Sequence, residues 1–112
     1  MLGGNVNAII QEKKGVKNDF GEFVSTYTDK YTLLGWLDMI SASDSYKYKG
    51  KFEESTHVFI CDYQEINLVA NECRLICNDA IYEVLYIDDP MNLHEHLEIL
   101  LKYTGVMPNG SN

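Results

Sequence analysis

Two stretches of strict alternation in the last third of the chain predict its clearest structural unit. From Ile81 to Ile87, the side chains of Tyr82, Val84 and Tyr86 fall on one side of an extended backbone, with Ile81, Glu83, Leu85 and Ile87 on the other. After Asp88, Asp89, Pro90, Met91 and Asn92 the same period returns. Leu97, Ile99, Leu101 and Tyr103 then share one side, and Glu98, Leu100 and Lys102 the other. Two such runs around a short polar turn predict a β-hairpin. Asp88 and Asp89 read as turn residues ahead of Pro90, since neighbours on extended chain point opposite ways and cannot readily share a proton.

Upstream the pattern is weaker but of the same kind. Val6 to Glu12 predicts a first strand, followed by a polar loop in which Gly15, Asn18, Asp19 and Gly21 supply turn chemistry. Phe23 to Tyr31 suits a strand or an extended arm, and Leu33 to Ile40 a further strand around Trp36, the one tryptophan. Thr56 to Tyr63 and Arg74 to Cys77 complete the set, with Asn78 and Asp79 turning the chain into Ile81. Residues 41 to 55 are polar and weakly periodic. They read as a long internal loop or a short helix, with Gly50 set against a continuous helix.

These elements predict an all-β fold, a small antiparallel β-barrel of about six or seven strands with no strand-helix-strand alternation. One domain over residues 6–105 is the economical organisation, with flexible tips at 1–5 and 106–112. The expected core contains Trp36, Phe59, Tyr82, Val84, Leu97, Ile99 and Leu101. Composition agrees: among 112 residues, 46% are hydrophobic and 12% aromatic, with two prolines, which is enough to bury a core and favours strands.

The formal charge of −8 is unevenly spread. Residues 1–52 carry six acids and seven bases, a net +1, and residues 53–112 carry eleven acids and two bases, a net −9. The second half should repel DNA. No apolar run reaches the roughly 18 residues of a membrane span, and the first residues lack a basic start and a long apolar core. A cytoplasmic origin is expected. Cys61, Cys73 and Cys77 are odd in number and read as three free, buried thiols.

Candidate chemistry is sparse. His94 and His96 form an H-x-H pair that period two would aim at one face, offering two nitrogens to a zinc or iron ion. A small metal-dependent β-barrel enzyme, with His57 or Cys61 completing the site, is therefore an alternative. The ligand set is incomplete, because Glu98 follows too soon. A solvated polar turn is the plainer reading of the pair. Ser41, Ser43 and Ser45 have no nucleophile-elbow setting, and no phosphate-binding glycine loop exists. Tyr46, Lys47, Tyr48, Lys49, Lys51 and Phe52 interleave aromatics with lysines, a composition that can hold phosphates and stacked bases. Lysines that keep an exposed edge soluble are the plainer reading of the cluster.

The order of features along the chain resembles the phage head-tail joining, or head-closure (stopper), proteins of tailed phages and prophage-derived particles. The resemblance runs from about Ala8 to Gly105. It is carried by the glycine-bearing loop with Glu22, the Gly35 to Ser41 segment, the Thr56 to Tyr63 strand, the Arg74 to Pro90 run and the Leu93 to Tyr103 strand. It implies a small β-barrel with a long internal loop, no catalysis and no cofactor. The implied role is a homo-oligomeric ring below the portal and adaptor that seals the DNA-filled head and docks tail-completion proteins. The location would be the head-tail interface of a virion assembled in the host cytoplasm, with no membrane. The family's channel loop corresponds to Ser41 to Ser55, which makes Tyr46, Lys47, Tyr48, Lys49 and Lys51 candidates for contact with packaged double-stranded DNA. A β-barrel adaptor with a protein partner and no phage role is a third possibility.

Overall fold

A computed structural model describes residue 4 and residues 6–40 and 54–106. They form six strands: β1 (Val6–Lys17), β2 (Phe23–Met39), β3 (His57–Asp62), β4 (Cys73–Cys77), β5 (Ala80–Asp88) and β6 (His96–Val106). All pairings are antiparallel in the order β1-β2-β3-β6-β5-β4. Residues Ala8 to Glu12 of β1 then pair with Cys77 to Cys73 of β4, which closes the sheet into a barrel. The expected all-β antiparallel barrel is the observed one.

The strand boundaries differ from expectation in two places. Phe23 to Tyr31 and Leu33 to Ile40 are not separate elements, because Thr32 stays in register opposite Ile9 and the chain runs unbroken through β2. The irregularity that the pattern suggested is a bulge: Ile10 faces Tyr31 and Gln11 faces Asp29, leaving Lys30 as the extra residue. β1 also continues past Glu12 to Lys17, pairing as far as Lys17 with Phe23. Only residues 18–22 turn the chain.

Inward-facing Ala8, Ile10, Leu33, Phe59, Cys61, Cys73, Leu75, Cys77, Tyr82, Val84, Leu97, Ile99 and Leu101 form one buried cluster. Six of the seven expected core residues are among them. Trp36 is not, being 42% exposed. Gly35 is the residue that faces inward at that level, and an added Cβ there would lie 2.9 Å from the Phe59 ring and 2.3 Å from the Ile60 carbonyl oxygen. Phe59 thus fills the space over a glycine, and alternation sends Leu34 and Trp36 outward.

A second bulge corrects the reading of β5. Val84 faces Leu101 but Tyr86 faces Leu100, so Leu85 is inserted and the sides exchange. Tyr86 turns outward at 40% exposure, and Ile87 packs against the core in its place. Asn78 and Asp79 make the anticipated tight turn, both with positive φ (52° and 64°), as a two-residue hairpin of primed type requires.

All three cysteines are free and buried. Burial pushes the Cys61 thiol up to about 11, with the Asp62 carboxylate adding to the effect. Burial also raises Cys73, helped by Glu12 and Glu72, and raises Cys77. Thiols held in that state are poor nucleophiles and act as small hydrophobes.

Two substitutions test this packing. Ile99→Ala, at a fully buried position, should cost about 2–5 kcal/mol in chemical unfolding through lost transfer energy and the cavity left behind. Gly35→Ala should cost about 1–3 kcal/mol, because the added methyl must displace Phe59 or the β3 backbone. A near-zero change at either site would contradict the inward register.

Candidate functional site

The two ends of the barrel carry different chemistry. At one end β2 hands over to β3, where Met39 faces His57 and the Ile40 N–H donates to the Thr56 carbonyl (3.0 Å). The chain between residues 40 and 54 leaves and rejoins the barrel here. Tyr46, Lys47, Tyr48, Lys49 and Lys51 belong to this connection and lie outside the described residues. Below it an aromatic group closes the barrel mouth. The His57 and Tyr82 rings meet edge-on with centroids 5.1 Å apart, and Tyr82 meets Tyr103 at 5.7 Å. The Tyr103 N–H donates to Thr56 Oγ1 (2.8 Å), which itself lies 2.8 Å from His57 Nδ1. Burial holds the His57 imidazole below its ordinary pKa.

At the other end, residues 63–72 cross the barrel mouth. Tyr63, Ile66, Leu68 and Ala70 pack onto the core, and the Asn67 N–H donates to the Tyr31 hydroxyl (3.3 Å). His94 and His96 sit at this end, and the structure does not bring them together. His94 precedes β6 with φ at +58° and turns to Asp89, whose two oxygens take its side chain and its backbone N–H (2.9 Å for the latter). Its ring stacks on Tyr63 with centroids 4.6 Å apart. His96 instead lies 3.0 Å from Glu98. The expectation that both rings share one face fails because the strand period begins only at His96.

Nor can His57 complete a metal site with that pair. β3 runs from His57, opposite Leu101, to Asp62, opposite His96. Five strand residues separate the two levels, roughly 16 Å. Among the described residues no three His, Cys, Asp or Glu side chains converge as ligands.

The carboxylates around this end set its electrostatics. Asp88 is held above the ordinary aspartate range by burial first, then by Glu98 and Asp89, with His96 opposing. Asp89 precedes a single 3-10 turn at Pro90–Asn92, and its carbonyl accepts the Asn92 N–H (2.9 Å). Tyr63, Ile66, Leu68, Ile87 and Leu97 line a shallow groove there, with Glu65 and Asp89 on its rim.

Pattern reading allowed an extended arm at Phe23 to Tyr31 but missed its second strand, because β1 beyond Glu12 read as a loop. Beyond Glu12 on β1 and before Tyr31 on β2, the two strands leave the barrel as a ribbon paired only with itself among the described residues. One of its faces carries Val16 opposite Val24, and the other Lys17 opposite Phe23. At its root Arg74 stacks on Tyr27 (3.7 Å to the ring centroid) and donates to Gln11 (2.7 Å), which donates to Asp29 (2.7 Å). At its tip the Asn18 side chain accepts the N–H groups of Phe20 (2.9 Å) and Glu22 (3.0 Å), while Gly21 takes φ +82°. Phe20 is thereby held 88% exposed. The one available sequence signal was the run VSTYT, β-prone on both faces.

Two measurements check this account. His94→Ala with His96→Ala should leave the melting temperature and assembly nearly unchanged, and the dialysed protein should carry no stoichiometric zinc or iron; a metal equivalent lost in the double variant would restore the enzyme alternative. Asp88→Asn should raise the melting temperature at pH 7. Because the folded-state pKa is raised, the favourable contribution is complete below the unfolded value and is lost as pH rises through the folded one. The gap between variant and wild type should therefore close below about pH 4, where both side chains are neutral.

Comparison with known proteins places nearly all of the barrel in one family. A model described as phage head completion protein matches residues 5–103. The fold is similar to the solution structure of protein SF1141 from Shigella flexneri 2a, with a TM-score of 0.71 at 18% identity over 92% of this chain and 95% of that one. It is also similar to a chain in the virion of a native gene transfer agent particle, with a TM-score of 0.58 at 14% identity over 91% and 96% of the two chains. No curated protein sequence matches. With nearly all of the barrel inside the matched span, the chain belongs to the phage head completion protein family and is a structural component of a virion.

Proposed function

We propose that this chain is a non-enzymatic head-closure subunit that assembles as a homo-oligomeric ring below the portal and adaptor, seals the DNA-filled head and presents a docking surface to tail-completion proteins. The observation that carries this reading is the family match over residues 5–103, spanning all six strands almost to their ends. Charge supports it. Residues 53–112, net −9, supply all of β3 to β6, and a carboxylate-rich wall lets DNA pass without adhering. The connection between β2 and β3 springs from the ring-plugged end of the barrel, where a ring of subunits could direct it into the channel. Tyr46, Lys47, Tyr48, Lys49 and Lys51 are then local attractive contacts for packaged DNA.

Deleting the gene from its particle should yield filled heads that lose DNA and fail to join tails, and supplying the wild-type gene should restore both. Normal particles without the protein would defeat the reading. Replacing Lys47, Lys49 and Lys51 together with glutamate should leave the melting temperature unchanged while retained DNA falls, because three attractive contacts become repulsive. Wild-type retention would defeat the loop assignment and leave the connector role standing.

A further inference from the structure

The arm of β1 and β2 is unexplained by a closed barrel. A barrel satisfies its own strand edges, yet this ribbon exposes two more. Beyond Glu12 the outer edge of β1 has no strand partner among the described residues, because β4 pairs only with Ala8 to Glu12. Before Gly35 the outer edge of β2 has none either, because β3 pairs only with Gly35 to Met39. A two-stranded ribbon is marginal by itself, and this one leaves Phe23 77% exposed.

The two edges are chemically unlike. The β1 edge carries Lys13, Lys14 and Lys17 around Gly15 and Val16, while Phe23, Val24, Ser25, Thr26, Tyr27 and Thr28 on β2 are uncharged and include β-branched and aromatic residues. Lysines on an edge deter pairing with an identical edge, since like charges directly opposite one another are destabilising. An uncharged β-prone edge invites a strand.

We propose that the arms are the contact between copies of this chain: the β1 edge of one arm pairs with the β2 edge of the next, so that a ring of subunits carries a continuous antiparallel sheet of arms. This rests on the ring reading above and supplies its interface. Direction supports the match. In a cyclic ring with its axis along the arms all copies point the same way, so an ascending β1 meets a descending β2, and the contact between copies repeats the antiparallel pairing within each arm. Side chains agree as well. In a register stepped two residues from the internal one, which keeps every side chain on its face, Val16 and the neighbouring Val24 would stand diagonally adjacent and join the Val16 and Val24 pairs into an apolar band. On the other face Lys17 would approach the neighbouring Phe23, as it does its own at 5.8 Å to the ring centroid.

The test introduces charge on the receiving edge and then reverses the donating one. Ser25 and Thr28 are exposed; within the arm they face Gly15 and Glu12, whereas across the stepped contact they would face Lys17 and Lys14, so Ser25→Lys with Thr28→Lys sets like charges directly opposite one another only between copies. In particles deleted for the gene, this double variant should fold with the wild-type melting temperature but load onto heads less than wild type by more than about tenfold. Adding Lys14→Glu and Lys17→Glu should recover loading, because the two edges are again complementary. Wild-type loading by the double variant overturns the pairing. So does loss without recovery, the result expected if two β2 edges pair in a closed dimer or if the arm meets DNA or another virion protein. If the wild-type gene itself fails to complement, the connector reading falls and the pairing falls with it; if it complements but the double variant loads normally or the added reversal fails to recover loading, only the pairing falls.

Discussion

Closure between β1 and β4 is the contact on which everything else depends. It spans only Ala8 to Glu12 against Cys77 to Cys73, yet without it β1 and β4 would both be free edges and the inward residues Ile10 and Leu75 would lose their shared wall. Its length also sets the shape of the molecule. β1 and β2 are 12 and 17 residues long while β4 is five, so the two long strands outrun the barrel and emerge as an arm. The Lys30 bulge lies where they depart, and the Arg74, Gln11, Asp29 and Tyr27 contacts tie the root of the arm to β4.

The ends of the barrel divide the remaining work. One mouth is plugged by rings, with His57 held below its ordinary pKa by burial beside Tyr82 and Tyr103, and it is there that the β2 to β3 connection departs. The other is crossed by residues 63–72 and gathers Asp88, Asp89 and Glu98, with each histidine engaged by its own carboxylate. Such pairing holds each imidazole through one ring nitrogen against a different carboxylate, Asp89 for His94 and Glu98 for His96. It explains how an H-x-H motif can sit in a protein whose role is structural, and it shows why spacing alone is a weak guide: one residue of positive φ at His94 removed the shared face.

Where one face of a strand is buried, the sequence was legible. The β5-β6 hairpin, the Asn78-Asp79 turn and six inward residues follow from period two, because burial on a single side imposes it. Trp36 was misplaced for a reason that period two contains but residue type hides: the inward position belongs to Gly35, and the ring that fills it comes from Phe59 on the adjacent strand. The β5 bulge reversed Tyr86 and Ile87, and no local signal announces an inserted residue whose cause is pairing with β6. The arm left the weakest trace, since both of its faces meet water and neither is forced to be apolar.

That weakness is informative about association. A closed barrel offers a neighbour no backbone hydrogen bonds, so subunits built from it must meet through side chains on the walls, through loops, or through strands that leave the barrel. The walls of β5 and β6 bear Glu83, Asp88 and Glu98, and like-charged walls repel when copies are packed side by side. The arm is where β1 and β2 retain free backbone edges, and it lies outside the strongly acidic stretch of residues 53–112. Its lysines bar the pairing of identical β1 edges and leave the unlike edge open, which is how a sequence can suppress uncontrolled sheet growth while permitting one directed contact.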